Sequence, residues 1–296
     1  MQRTDVMPIT AAPQSAAVPA ISPTWTAVGR GLLLGTVLLY LGIVLVGPMA
    51  ALFVETTEIG FAKAAEAVLA PAALDALLMS MILVVIALVV NAVVGTLGAI
   101  AIVRHRFVGR GALSALFDLP LAVSPVMIGL AFILLVGRGG TLTPWLDALG
   151  WKVVFSFPGV VIGTLFVTLP YTVREVAYVL EEIGTSEEEA ATTLGASPWQ
   201  TFWRVTLPNI RIPLGYGLLM TIARTLGEFG AVLVLGGSIS GQTQTATTFI
   251  HDAMEERQEA SAYGMALVLA VMSVGLLLAL EWAKTRRQQV LKRSST

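Results

Sequence analysis

EEEAATTLGASPWQTFWRVTLP, Glu187–Pro208, is the longest strongly polar interval between two apolar ones in this chain. Its grammar predicts two short helices joined at an elbow. Ser186 with Glu189 reads as a capping box that opens the first helix. The glutamates of its first turn suit the positive end of that helix. Gly195 reads as a left-handed stop, because glycine reaches positive φ without a Cβ clash. Ser197 then caps a second helix, with Pro198 at the first position and Gln200 closing another box. Leu207-Pro208 is expected to end that helix, since proline offers no amide hydrogen to the ladder.

Composition says what surrounds this interval. Of 296 residues, 56% are hydrophobic and only 12% charged, with a mean hydropathy of +0.82. A soluble domain carries roughly twice that charged fraction, so the chain is an integral membrane protein. A net charge of −1 provides no basic field for nucleic acid. Cysteine is absent and the two histidines, His105 and His251, lie far apart, which excludes disulfides, thiolate chemistry and a histidine-rich metal site.

Residues 1–24 are rich in Ala, Pro, Ser and Thr without periodicity and read as a disordered tail. Long apolar runs follow at 31–54, 74–103, 113–136, 158–180, 212–235 and 262–282. Each reaches the roughly 20 residues that cross a bilayer as helix, and none alternates as barrel strands do. The expectation is an all-α polytopic protein with six transmembrane helices and both ends on one side. With the N-terminus inside, the inner segments hold most of the 18 lysines and arginines, while the outer ones keep Lys63, Arg138, Lys152 and Arg257. That bias orients the chain N-in and C-in, puts the elbow in the cytoplasm and makes 284–296 a basic cytoplasmic tail.

Several spans carry breakers. Ser124-Pro125, with Pro120 before them, interrupt the third, and Pro170 the fourth. Proline-broken membrane helices persist where neighbours or a cavity satisfy the freed carbonyls, and they often line transport routes. Gly95, Gly98, Gly215 and Gly217 suit close helix contact. Arg224 and Glu228 fall inside the fifth span, one turn apart. A lone arginine at mid-membrane costs about 2.5–3.5 kcal/mol on insertion scales, so the pair is either an internal ion pair or a cation facing a water-accessible route for an anion. Asn91 and Asp118 read as interhelical hydrogen-bond partners. On the elbow, Ala190, Ala191 and Leu194 give the acidic helix a small apolar patch of the kind that lies in a partner's groove. Its acids read equally as a solvated face. Trp199, Phe202 and Trp203 read as interfacial anchors against the span ends.

Glu189-Ala190-Ala191, then Gly195, then Val205-x-Leu207-Pro208, resembles the EAA motif of ABC importer permeases. DLPLAVSPVMIGL, TLPYTVRE, GASPWQTFWRVTLPNIR and ARTLGEFGAVLVLGGSI are similar to the W-type membrane subunits of sulfate/thiosulfate importers, over roughly 28–282. The resemblance implies a type I importer (MetI-like) permease domain over 25–283, with an EAA coupling loop at 185–208. It implies that Glu188, Glu189, Ala190, Ala191, Leu194, Gly195 and Ala196 seat an ATPase subunit. Two ATPase copies, a T-type sister permease and a periplasmic or lipid-anchored oxyanion-binding protein are the implied partners, in a bacterial inner membrane. ATP and Mg would then be bound by the partner, and no cofactor by this chain. Ser124, Pro125, Arg224 and Glu228 are the pathway candidates. Val205 replaces the usual isoleucine, and Ser240 and Gln242 stand where sulfate subunits tend to have arginine and glutamate. Molybdate or tungstate permeases share ARTLGEFG-like sequence and are the alternative.

The residues agree with a subunit that does not itself hydrolyse ATP. A Walker A loop needs lysine after glycine, and none of Lys63, Lys152, Lys284 and Lys292 follows one. A membrane serine hydrolase using Ser238, Ser240 and His251 is a rival class, but the GGSISG loop has Ile239 at its centre and no strand-to-helix elbow. A non-transporting scaffold, the third class, would not need a capped elbow between broken spans.

Overall fold

The computed structural model describes the backbone of residues 23–294 and the side chains of residues 29–276 and 278. Among the described residues the chain is helical, with no strand. It begins with α1 (Pro23–Leu41, followed by a π turn at Gly42–Val46), α2 (Gly47–Ile59) and α3 (Phe61–Val68). Then come α4 (Pro71–Arg104, with a π turn at Asn91–Gly95), α5 (Arg110–Ala122), α6 (Pro125–Val136) and α7 (Thr143–Ala148). The remainder is α8 (Phe157–Ile183), α9 (Ser186–Thr193), α10 (Pro198–Leu226, with a π turn at Phe202–Thr206), α11 (Gly230–Gly236), α12 (Ala246–Glu255) and α13 (Glu259–Ser294). Met1–Ala51 and Leu52–Thr296 form two compact units. The described part of the first is α1, its π turn and the start of α2, whose large apolar side chains are exposed. Of the expected tail, residues 1–22 lie outside the described residues, while Pro23 and Thr24 already open α1. The basic segment 284–294 continues the backbone of α13.

Gly29–Ile59, Pro71–Arg104, Phe157–Ile183 and Glu259–Leu276 are long and apolar enough to cross a membrane. Two bent pairs, α5 with α6 and α10 with α11, bring the number to six when each pair counts as one span. The expected third and fifth spans are therefore not single rods. The third bends by 120°. Pro125 causes it by forcing Ser124 out of the helical region to φ −61, ψ 138, with Val123 extended as well. The fifth bends by 58° at Gly227–Phe229. Pro170, by contrast, does not break α8, which runs unbroken for 27 residues. One missing hydrogen bond is tolerated there because the helix is packed on several sides.

α8 is the axis of the second unit. One end of it packs Val173, Val176 and Leu180 against Ala99 and Ile102 of α4 and Ile210 of α10. Nearer its start, Val167 meets Ile128 of α6 and Ala231 of α11, and Val160 meets Leu83 and Val232. In the middle, Thr172 is pinched between two glycines. A Cβ on Gly95 would lie 2.8 Å from Thr172 Cγ2, and one on Gly217 would lie 2.7 Å from Thr172 Cα. Only glycine lets α4 and α10 approach α8 this closely. Gly98 meets the Phe117 ring in the same manner, but Gly215 has nothing within 4 Å and is not a contact residue.

A buried polar seam runs beside this contact. Asn91 Nδ2 donates to Thr168 Oγ1 at 2.9 Å and to Thr221 Oγ1 at 3.3 Å, and Thr172 and Thr221 hydroxyls lie 3.3 Å apart. Asp118 of α5 pairs with Arg174 of α8 at 2.7 Å. Both residues read from sequence as interhelical partners therefore are. Gly217→Val should lower stability by about 1–3 kcal/mol through overpacking against backbone, seen as a fall in the thermal unfolding midpoint in detergent. Gly215→Val should leave the midpoint unchanged. Equal shifts at the two positions would show that close approach is not what holds α10 to α8.

Candidate functional site

The elbow is built much as its sequence suggests, with two corrections. Thr185, not Ser186, is the N-cap of α9, and the Ser186–Glu189 box does not form. The Thr185 hydroxyl instead donates to Glu189 Oε1 at 2.6 Å. The stop is the expected one. Gly195 has φ +86, with its N–H on Thr192 O and the Ala196 N–H on Ala191 O, the paired bonds of a Schellman motif. Ser197 and Gln200 form the reciprocal capping box at the start of α10. The second correction concerns Leu207-Pro208, which does not end that helix. The π turn at Phe202–Thr206 sends the Leu207 N–H back to Phe202 O. This wider turn accommodates the proline within a helix that runs on to Leu226. The elbow is thus one short helix and the start of a long one.

Glu187 and Glu189 are exposed, as a solvated face would be, while Glu188 is half-buried. Glu187 Oε2 accepts from Asn209 Nδ2 at 2.6 Å, and Glu188 Oε1 accepts from Thr206 Oγ1 at 2.7 Å, so both tie α9 to α10. Glu188 Oε2 also lies 2.8 Å from Arg104 Nε, an ion pair that is mostly buried. Arg104 ends α4, and its other nitrogens donate to Leu180 O at 2.9 Å and Gly184 O at 2.7 Å, at the close of α8. The last carbonyls of a helix lack partners within it and favour a cation, so one guanidinium completes α8 while holding α9. The sequence reading missed Arg104, Thr206 and Asn209. They carry no local signal, because their partners lie on other helices.

Away from these bonds, α9 presents an apolar side. Leu194 is 88% exposed, Ala190 and Gly195 are exposed, and Ala191 and Ala196 are half-buried. Ala191, Leu194, Gly195, Gln200, Thr201 and Arg204 are among the residues lining a cleft of about 310 Å³ in the crook of the elbow. Trp199, Phe202 and Trp203 pack on one another, Trp203 at 5.4 Å from each of the other two rings. The two tryptophans are exposed.

The pathway candidates gather at the two helix breaks. A Cβ on Gly230 would lie 2.9 Å from Val126 Cγ2 and 3.3 Å from Pro125 Cβ, so the break before α11 rests on the break before α6. Both lie level with Val167 of α8, roughly 15 Å along that helix from its start at 1.5 Å per residue. Glu228 is outside the helix, in the break, and only 2% exposed. It keeps its predicted partner, with Arg224 Nη2 2.7 Å from Glu228 Oε2. Its other oxygen accepts the Ala231 N–H at 2.9 Å, which caps α11, and Thr247 Oγ1 donates to its backbone carbonyl at 2.6 Å. Arg224 retains partial exposure. Ser124 is exposed beside Pro125 and caps nothing.

At the end of the bundle opposite the elbow, the Ser238 hydroxyl donates to Asp252, not to His251. His251 instead pairs with Glu255 at 3.4 Å and meets the Phe229 ring edge-on, so the serine lacks the base a hydrolase requires. Among the described residues no group of three or more His, Cys, Asp or Glu is placed to hold a metal ion.

Residues 93–289 match the family described as the binding-protein-dependent transport system inner membrane component. The chain is 42% identical over 258 residues to the sulfate transport system permease protein CysW of Synechococcus elongatus, covering 86% of this chain and 90% of the relative. It is 40% identical to CysW of Escherichia coli, over 83% of this chain and 84% of that one. With the Escherichia coli sulfate transport system permease protein CysT the identity is 34%, over 90% and 96%. A crystal structure of a bacterial ABC transporter involved in import of the acidic polysaccharide alginate contains a chain that superposes with a TM-score of 0.73 at 19% identity, over 90% of this chain and 99% of that one. That likeness extends the agreement from sequence to fold. The chain belongs to the family of binding-protein-dependent transport system inner membrane components, and it is a membrane-spanning permease subunit of an ABC importer.

Proposed function

We propose that this permease imports sulfate or thiosulfate, driven by a separate ATPase subunit that seats on α9. The observation that carries the coupling role is the division of that short helix into two sides. Its carboxylates brace it from behind onto α10 and Arg104, and a bare Ala190–Leu194–Gly195 side is left in front. A helix held at several points and exposed on an apolar patch transmits force without bending. The identity to sulfate permeases supports the choice of anion, and Arg224 beside two helix breaks supplies a partly exposed cation for it. Molybdate or tungstate is the second reading, kept open by the departures from the sulfate pattern at Ser240 and Gln242 in the loop after α11.

The assembly that follows has a second permease of the CysT kind, two ATPase copies holding ATP and Mg, and a binding protein on the outer side. The elbow faces the cytoplasm, with both chain ends on that side. The excess of basic residues in the elbow-side loops supports this orientation.

Gly195→Asp puts a side chain at φ +86, where L-residues pay roughly 1–2 kcal/mol, and adds a charge to the docking side. Glu189→Lys sets a cation at the positive end of α9 and removes the Thr185 acceptor. Both variants should stay in the membrane while ligand-stimulated ATP hydrolysis by the reconstituted complex falls about tenfold. Unchanged stimulation would remove the coupling role. Arg224→Glu should reduce uptake of labelled sulfate into proteoliposomes at least tenfold. The neutral pair Arg224→Gln with Glu228→Gln should be equally slow although no carboxylate is left unpaired. Normal uptake by the neutral pair would make Arg224 a packing residue only. Saturable uptake of molybdate with sulfate excluded would decide for the second reading.

A further inference from the structure

Arg104 stands where three helices converge, yet it belongs to neither the EAA stretch nor the helix breaks. Its Nε meets Glu188 of α9 at 2.8 Å, and Nη1 and Nη2 donate to Leu180 O and Gly184 O at 2.9 and 2.7 Å. A broad, planar guanidinium spans these acceptors, donating to two carbonyls while its charge faces the carboxylate, where a compact ammonium would be a point charge. From Arg104 the chain runs back as regular α-helix, Thr96–Arg104, to the π turn Asn91–Gly95. Gly95, the last residue of that turn, is pressed on Thr172. A rigid arm nine residues long thus joins the guanidinium to a locally widened turn, the kind of place where a helix bends.

α9 reaches α8 through the short chain segment around Gly184, and α10 through Glu187 and Glu188. It reaches α4 through Arg104. We propose that Arg104 is a positioning residue for transport: a strut that passes displacement of α9 to the Thr96–Arg104 arm and the end of α8 together, with the Gly95–Thr172 contact at the π turn as the fixed pivot. This rests on the reading of α9 as the ATPase-seating helix, and it adds the route by which the seated motion enters the bundle.

The test uses the complete importer in proteoliposomes: this chain, its sister permease, the ATPase and the binding protein. ATP hydrolysed per ligand imported is measured for Arg104→Gln, Arg104→Lys and the exchanged pair Arg104→Glu with Glu188→Arg. Arg104→Gln should assemble with the ATPase and use about tenfold more ATP per ligand. Arg104→Lys should fall between it and the parent, and gives the same readout should the glutamine variant not reach the membrane. The exchanged pair should stay uncoupled, because a carboxylate at that position cannot donate to Leu180 O and Gly184 O. An unchanged ratio in Arg104→Gln, or a ratio restored by the exchanged pair, would overturn the strut. Loss of assembled complex with the ratio intact would do the same, leaving a folding brace.

The chain has no native cysteine, so Leu194→Cys offers a single crosslinking site to an ATPase that carries an engineered partner cysteine. No crosslink in the parent sinks the seating of α9 itself. A crosslink formed alike in the parent and in Arg104→Gln, with the ratio unchanged, sinks only the strut.

Discussion

Everything in the second unit hangs on how closely three helices approach at Thr172. Lipid tails are as apolar as leucine, so burying apolar surface between membrane helices brings little gain, and contact must come from tight packing and interhelical hydrogen bonds. Thr172 supplies both. Gly95 and Gly217 let two helices settle on it from different directions, and its hydroxyl lies in the Asn91–Thr168–Thr221 seam. Helices α4, α8 and α10 are fixed to one another there, while α6 joins α8 through apolar contact and α11 through Gly163 against Leu235 and Gly236 against Val160.

That arrangement sets closely packed straight helices beside bent spans. The triple contact is polar, buried and glycine-tight. The two spans that pack beside it are broken, one by the restriction Pro125 places on Ser124, the other by the non-helical Gly227–Phe229. At the second break the cost of a buried carboxylate is offset by several partners: Arg224 and the Ala231 N–H reach the side chain, and Thr247 holds the backbone. Removing one member of such a set leaves an unpaired buried charge, so the constellation keeps the break in a single geometry. In the alginate transporter chain the whole fold recurs at 19% identity. The demand preserved at that distance is the placement of helices.

Local chemistry was legible in the sequence wherever a residue acts on its own neighbours. Gly195, the Ser197–Gln200 box and the Pro125 break all follow from rules that span five residues or fewer. The Arg224–Glu228 pair was legible too, although its second member turned out to lie beyond the helix end. What the sequence hid was non-local. Pro208 looked like a terminator because a π turn six residues upstream has no sequence signature. The partners of Glu187 and Glu188 were hidden because Asn209, Thr206 and Arg104 approach them from other helices. Ser186 lost the capping position to Thr185 because Gly184, at positive φ, turns the chain one residue earlier. Gly215 looked equivalent to Gly217, but only one of them faces α8.

The hidden contacts are also those that join the elbow to the bundle, and this is a physical necessity. A surface that seats a partner must be readable by that partner, so its residues are exposed, local and patterned. A linkage that carries load inward must instead close bonds between elements brought together by the fold. Glu188 belongs to both classes. It sits in the first turn of the exposed helix and spends its two oxygens on Thr206 and Arg104 behind it. A carboxylate in that position makes the helix stiff at its root while its Leu194 end stays free, which is the mechanical character a short helix needs if motion applied at its face is to arrive in the membrane undiminished.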